Sequence, residues 1–333
     1  MSDFRLEPSD EYTHQPDAAS NFNESVYCNA FDQATGVGGW MRLGNRVNEG
    51  YAELSVCLYL PDGRIACQFQ RPPISRNDRF AAGGLSYDVI EPFKRLRMTY
   101  DGGLLLLDDP ELLRQPDHLF QNAQRLPGVV RFEQEAASPI HGGEPTGPAV
   151  PTMYGRDFSL GHFNQHTRVT GSIQVGDQVF ALDGSGWRDH SWGPRYWQSI
   201  YWYRLFLANF GRGRGFMLLK IVDKAGTARR VGVLLVDGAY EEILDMDVLT
   251  DWSPAQDPVK VRIGVRTARR SEVIEGDILT LAPLRNRRKA GEETLVSRIA
   301  EGWTRFSWNV VTGYGMTEYI ERIEAGRLVG YPL

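Results

Sequence analysis

The chain lacks most features that mark the commoner catalytic classes. Among its 333 residues there are three cysteines, Cys28, Cys57 and Cys67. An odd count this small makes no disulfide framework, so each reads as a small buried apolar residue in a reducing cytoplasm. Cys57 and Cys67 flank the turn Pro61-Asp62-Gly63, which makes them candidate cross-strand neighbours. There is no Cys-x-x-Cys pair, Walker loop or glycine-rich dinucleotide turn. That argues against clusters, nucleotides and flavins, and we expect no cofactor. No window approaches 18 apolar residues, so no membrane insertion is expected. Met1–Asp10 is polar and acidic, unlike a signal peptide.

Positive charge is also short. The formal net charge of -5 argues against nucleic acid as a partner. Two basic runs, Arg266–Arg270 and Arg285–Lys289, sit beside Glu272, Glu275, Glu292 and Glu293 and read as solvated hairpin ends.

Helix is scarce. Asp109–Arg125 opens on Asp-Pro but contains Pro116, so it reads as short helical pieces within a crossing loop. Strand signals dominate instead. Tyr51–Leu60 and Arg64–Gln70 alternate around a Pro-Asp-Gly turn. Leu96–Tyr100 and Leu104–Leu107 flank Asp101-Gly102-Gly103. Arg168–Val175 and Gln178–Leu182 flank Gly176-Asp177. Phe216–Val222 and Thr227–Val236 flank Asp223–Gly226, and Arg305–Val311 and Thr317–Arg322 flank Thr312–Met316. Short strands bounded by Gly, Asp and Pro predict an all-β protein of antiparallel barrels or sandwiches. The length favours two domains. Ala136–Pro151, rich in Pro and Gly, is the expected boundary, giving domains 1–150 and 151–333, the second carrying Arg188–Gly193 (RDHSWG). Exposed edge strands would allow a homodimer, though no interface is selected.

What is plentiful is aromatic area in one place. Gly184–Tyr203 reads GSGWRDHSWGPRYWQSIYWY and holds four of the eight tryptophans, Trp187, Trp192, Trp197 and Trp202. Apolar walls with a few ionisable groups suit a pocket for a hydrophobic small molecule. In an extended chain Arg188, His190 and Trp192 share one face, and Trp187, Asp189 and Ser191 the other. Gly193-Pro194 ends the strand and sets this group at a barrel mouth. His190 is a candidate acid or base, or a structural histidine at a strand end.

Other candidates surround it. His162 and His166 share a face and read as pocket-lining or structural histidines; with His190 they would be a three-nitrogen metal set, but no His-Glu-x-x-His motif supports one, and no metal is expected. Glu24 and Tyr27 in Asn21–Tyr27 reach a pocket or form a turn device. Tyr314 and Glu318 share a face in Gly313–Tyr319, with a surface role for Glu318 the ordinary alternative.

The string GWRDHSWGPRYW resembles the signature of the hydroxyneurosporene synthase or carotenoid 1,2-hydratase family and its AttH-like relatives. Asn-Phe-Asn-Glu-Ser near the start, His-x-x-x-His before the signature and Gly-Tyr-Gly-x-x-Glu-Tyr near the end are similar to an uncharacterised branch of that superfamily. The resemblance implies two lipocalin-like β-barrel domains and cofactor-free chemistry on hydrophobic molecules. It makes His190 and Trp192 functional residues through the His-x-Trp motif. The hydratases' downstream Tyr-x-Asp pair has no counterpart here, where that strand reads Phe216–Lys220 (FMLLK).

The expectation is a lyase of hydratase or dehydratase type acting on a terpenoid, steroid or aromatic compound. Asp189, Glu24 or Glu318 would supply an acid kept protonated by burial among aromatic rings. His190 would activate water, and Arg188 or Arg195 would orient an anionic substrate group. Trp192, Trp197 and Tyr203 would stabilise a developing cation. Two alternatives stand beside it. One is a carbon–carbon lyase or isomerase on a phenolic substrate, which needs no carbocation. The other is a non-catalytic carrier, which needs the aromatic walls but not Asp189 and His190 together.

Overall fold

The computed structural model describes every residue except Met1, Ser2, Pro151, Gln198, Ser199, Arg212 and Gly291, and gives no side-chain account of Asn122 and Ala290. It is an all-β protein with two compact units. The first comprises Met1–Leu106 and Gln124–Trp197, the second Leu107–Ala123 and Gln198–Leu333.

Unit one is built on eight strands: β1 (Phe22–Asp32), β2 (Val37–Arg46), β3 (Tyr51–Tyr59), β4 (Ile65–Gln70), β5 (Arg95–Leu107), β6 (Gln124–Ala136), β7 (Gly161–Val175) and β8 (Gln178–Pro194). Each pairs with the next, and β8 pairs back onto β1, so the sheet closes on itself as a barrel. Closure leaves these strands no unpaired edge. Unit two repeats the plan with β9 (Trp202–Gly211), β10 (Arg214–Val222), β11 (Ala228–Val236), β12 (Ala239–Trp252), β13 (Pro258–Thr267), β14 (Ser271–Ala290), β15 (Glu293–Trp308) and β16 (Val311–Glu324), the last returning to β9. No described helix is long and apolar enough to cross a membrane.

Inward-facing residues fill both barrels. In unit one Val26, Met41, Leu43, Leu54, Val56, Met98, Phe132, Val169, Ile173 and Leu182 form one buried cluster. In unit two Phe206, Phe216, Leu218, Leu234, Met246, Ile263, Phe306, Trp308 and Tyr319 do the same. Each such side chain contributes roughly 1.5–3 kcal/mol of transfer free energy. Cys57 and Cys67 are directly opposed on β3 and β4, and all three cysteines are buried thiols outside any disulfide.

The structure corrects three readings of the sequence. The boundary does not fall at 150. His141–Pro145 is a strand that pairs with the start of β7 and with Phe4–Arg5. Its glycines serve close packing, since a Cβ on Gly142 would stand 2.4 Å from the His162 carbonyl oxygen. Consequently β7 and β8, with the RDHSWG string, belong to the first unit. Second, Asp101-Gly102-Gly103 is no turn. β5 runs straight through it, with Gly102 opposite Gly128, and a Cβ on Gly102 would meet the Tyr100 hydroxyl at 2.5 Å. Third, the last hairpin turns at Asn309-Val310, between Trp308 and its partner Val311, and Asn309 takes the left-handed φ of 56° there. The crossing segment does carry short helical pieces, Pro110–Arg114 and Pro116–Asn122. Pro116 begins the second rather than breaking a longer helix, as its missing N–H allows.

Candidate functional site

Strand β8 carries the aromatic string, and its pairing decides which side chains meet. His190 lies opposite Val26 on β1 and Phe163 on β7, Arg188 opposite Cys28 and Gln165, and Trp192 opposite Glu24 and Gly161. Glu24 lies opposite Asn45 on β2. Directly opposed residues share a face, and Val26 and Cys28 belong to the barrel core. Arg188, His190, Trp192, Glu24 and Phe163 therefore point into the barrel. Asp189, Ser191, Trp187, Tyr27, His162 and His166 point out of it.

The inward group centres on Glu24, which is fully buried. Its Oε1 lies 3.0 Å from His190 Nε2 and 2.6 Å from His14 Nδ1. Its Oε2 accepts from the His14 backbone N–H at 2.9 Å and from Asn77 Nδ2 at 2.6 Å. Asn77 is held in turn by Asn45, whose Nδ2 donates to Asn77 Oδ1 at 2.9 Å. Burial alone would raise the Glu24 pKa, but the hydrogen bonds from His14 and His190, and then their charge, bring it below the ordinary value. Burial likewise works against charge on His14, yet the bond to Glu24, with Asp10 behind it, raises His14 overall. Glu24 is thus a carboxylate at neutral pH, not the protonated acid expected from the sequence.

His14 arrives on the N-terminal segment, which lies over the barrel end where β1 begins. The 3-10 turn Pro8–Glu11 places Asp10 3.3 Å from His14 Nε2 and buries Glu11 against Arg188. That pair is two-pronged, at 2.7 and 3.2 Å, and Arg188 also donates to Gln165 Oε1 at 2.8 Å. The Arg188 guanidinium also lies over the Phe163 ring at 4.9 Å. Committed to Glu11, Arg188 is a structural clamp and not a free anion receptor.

Around His190 the walls are aromatic. Phe80, Phe163 and Trp192 have ring centroids 5.2, 5.3 and 5.5 Å from its own, and His14 stacks on Trp192 at 3.9 Å. Gly161 makes room for that tryptophan, since a Cβ there would stand 2.1 Å from the ring. Within this cage His190 Nδ1 is buried and has no hydrogen-bond partner among the described residues. Tyr87 OH and Gln134 Nε2, both from the same core lining, are likewise buried and unpaired. Burial pushes the Tyr87 hydroxyl well above its ordinary pKa, so it remains a proton donor. Each unmet buried polar group costs about 1–3 kcal/mol unless something fills it.

The remaining sequence candidates lie elsewhere. His162 and Asp189, 3.8 Å apart, face outward, and His166 packs edge-on to Trp187 on that face. His162, His166 and His190 therefore do not converge as a metal set. Arg195 and Trp197 follow β8 and meet the Phe158 ring at 4.2 and 5.1 Å. Tyr27 packs with Trp40. Glu318, Tyr203 and Tyr314 belong to unit two, where the Tyr203 hydroxyl donates to Glu318 at 2.6 Å. Glu318 faces away from the core residue Tyr319 beside it. Sequence reasoning missed His14, Asn77 and Phe80. Only the low histidine count, six in the chain, singles out His14.

The donor atoms of His14, Glu24 and His190 all lie within 4.8 Å of one another, a set that could hold a metal ion. The 2.6 Å from His14 Nδ1 to Glu24 is the separation of a hydrogen bond. Two ligands about 2.0–2.1 Å from one tetrahedral ion would stand roughly 3.3 Å apart. The arrangement is a hydrogen-bonded triad: a buried carboxylate fixes two imidazoles and leaves one ring nitrogen unpaired in an aromatic cage.

Fold and site together define a two-domain, lipocalin-like all-β protein with a carboxylate–imidazole centre inside its first barrel. More narrowly, the chain belongs to the family described as a domain of unknown function (DUF7064), whose model matches residues 7–323. Among solved structures it is similar to a protein assigned as AttH from Nitrosomonas europaea, at 16% identity and a TM-score of 0.65, covering 95% of this chain and 96% of that one. It is also similar to CghA in complex with Sch210972, at 12% identity and a TM-score of 0.56 over 96% of both chains. Kievitone hydratase from Nectria haematococca follows the same fold at 11% identity and a TM-score of 0.50, covering 93% of this chain and 98% of that one. No curated protein matches by sequence.

Proposed function

We propose that the chain is a cofactor-independent, hydratase- or dehydratase-type lyase, acting on a hydrophobic small molecule within the first barrel. One observation carries this: His190 gives Nε2 to the Glu24 carboxylate and keeps Nδ1 unpaired among Phe80, Phe163 and Trp192. A carboxylate accepting from Nε2–H fixes the tautomer, so the opposite nitrogen carries the lone pair that can take and return a proton. The similarity to a hydratase fold agrees with the reading without establishing it.

The charge on Glu24 narrows the substrate. Protonating an isolated alkene takes a strong acid, and Glu24 is held ionised while Asp189 and Glu318 lie outside the lumen. We therefore assign an activated substrate, an aromatic or terpenoid alcohol whose adjacent C–H is acidified by a carbonyl or a conjugated phenol. His190 Nδ1 removes that carbon's proton, the electron pair forms the double bond as the C–O bond breaks, and the His190 imidazolium gives the same proton to the departing hydroxide, which leaves as water. In reverse, His190 deprotonates water as it adds and hands the proton to the adjacent carbon. Trp192 and the two phenylalanines exclude solvent, and Tyr87 is the donor placed to hold an oxygen. Buried cysteines outside any disulfide fit a cytoplasmic setting.

The test is a mass-spectrometric screen of purified protein against aromatic, terpenoid and steroid alcohols and enones in 18O-labelled and deuterated water. An enone is expected to return one water heavier, with 18O in the new hydroxyl and deuterium on the adjacent carbon, and an alcohol one water lighter, from the wild type and not from His190→Ala. Compounds that stabilise the protein and return unchanged would make it a carrier. Release of a carbon fragment would make it a carbon–carbon lyase.

A further inference from the structure

The outer face of β8 carries a second feature that the lumenal chemistry does not use. Arg195 is only 8% exposed and makes no ion pair among the described residues. Its Nη2 donates to two serine hydroxyls, Ser191 Oγ at 2.7 Å and Ser25 Oγ at 3.3 Å, which lie 3.1 Å from each other. Its Nε is buried without any partner. One flat side of the guanidinium rests on Phe158 at 4.2 Å.

The surroundings make this cation costlier still. Arg42 and Arg46, on the same outward face of β2, bear on it from nearby. Each has one acid, Arg42 pairing with Glu53 at 3.3 Å and Arg46 with Glu49, and each keeps one buried guanidinium nitrogen unpaired, Arg42 Nη2 and Arg46 Nη1. Three guanidinium groups thus face two carboxylates. Asp189, whose charge is also felt at Arg195, lies beside His162 at 3.8 Å. Burial first, and then Arg42, push the Arg195 pKa down to about 9. Asn23 contributes a further unpaired amide next to Gly44, where a Cβ would collide with Arg42 Nη2 at 2.8 Å and with Asn23 Oδ1 at 2.9 Å.

A buried charge without a partner is strongly unfavourable, and an anion bound directly against it would offset that cost. We propose that Arg195, Ser191 and Ser25 form a binding site for a carboxylate, on the face of β8 opposite His190. A carboxylate matches the planar guanidinium edge, supplies the direct ion-pair partner that Arg195 lacks among the described residues, and accepts from the hydroxyls as well. The rings of Phe158 and Trp197, 5.1 Å apart, favour one attached to an aromatic group. The site stands on its own observations and does not rest on the lumenal reaction.

Benzoate is the probe, with benzamide as its neutral isostere and sodium sulfate as a generic anion, followed by thermal shift and titration calorimetry on the full chain. Benzoate is expected to raise Tm saturably while benzamide does not. Arg195→Met removes an uncompensated buried charge, so it is expected to fold at least as stably as the wild type and to bind benzoate at least about tenfold more weakly. Arg195→Lys keeps the charge without the fork and is expected to weaken binding as well; it serves as the test if the methionine variant does not fold. Ser191→Ala should weaken binding further along the same line. Equal responses to benzoate and benzamide, a shift from sulfate as large as that from benzoate, or benzoate binding unchanged in both Arg195 variants would each overturn the proposal.

Discussion

His190 Nε2 stands 3.0 Å from Glu24 Oε1, and neither side chain exposes any surface. A buried carboxylate bonded to an imidazole on one edge only makes the two residues act as a unit. With a substrate found by the screen, His190→Ala and Glu24→Gln are each expected to lower kcat/KM by about 10²–10⁴-fold. The double variant should be little worse than either, because residues that work together lose their effect together. Asp189→Asn and Glu318→Gln should leave kcat/KM near the wild-type value, since one points out of the barrel and the other lies in unit two. Steady-state kinetics on the wild type and the five variants decides between Glu24 and the other two carboxylates suggested by the sequence, Asp189 and Glu318.

Stability should respond to pH from both sides. His14 has its pKa raised in the folded state, so its contribution is fully present below the unfolded value near 6.5 and is lost as pH climbs through the folded value. Glu24 has its pKa lowered, so its contribution is present above about 4.5 and is lost as pH falls through the folded value. Melting temperatures measured across pH 4–9 should therefore fall on the alkaline side, and His14→Gln should flatten that limb in particular.

The Arg188–Glu11 pair lies wholly out of solvent. Removing one member strands the other, so Arg188→Met or Glu11→Gln alone should cost roughly 3–5 kcal/mol in urea unfolding. The double change should recover much of that loss. If it merely adds the two single losses, the pair is not acting as a coupled unit.

Gly161 leaves the space that Trp192 fills. Gly161→Ala should displace the indole and with it the stacked His14, altering near-ultraviolet circular dichroism and lowering activity while the β-rich far-ultraviolet spectrum persists. An unchanged near-ultraviolet spectrum would mean that the ring has slack at this contact.

Much of this organisation could be read in the sequence. Alternation at Tyr51–Leu60 and Arg168–Val175 marks real strands, because period-two burial leaves a local trace, and the short apolar run Phe216–Val222 marks another buried on both faces. The split of Arg188, His190 and Trp192 from Asp189 and Ser191 follows from the same period. Glycine misled where it serves close contact, at Gly102 and at Gly142, since a residue without a side chain looks alike in a turn and in a crowded strand. His14 was hidden for a different reason. It sits on an irregular segment with no periodicity, and only the closure of β8 onto β1 brings Glu24 and His190 to it. The boundary between units failed likewise, because the chain returns to the first barrel after the excursion Leu107–Ala123 and no composition shift records that return.

The strict alternation along β8 has a consequence for how this strand can change. Adding or deleting one residue between Gly184 and Pro194 would exchange its two faces, turning His190 out of the barrel and Asp189 and Ser191 into it. One strand thus works as a partition with a different set of side chains on each face, and its length in residues is the key that fits both. Substitutions can tune either set alone, whereas a single-residue slip would displace both at once.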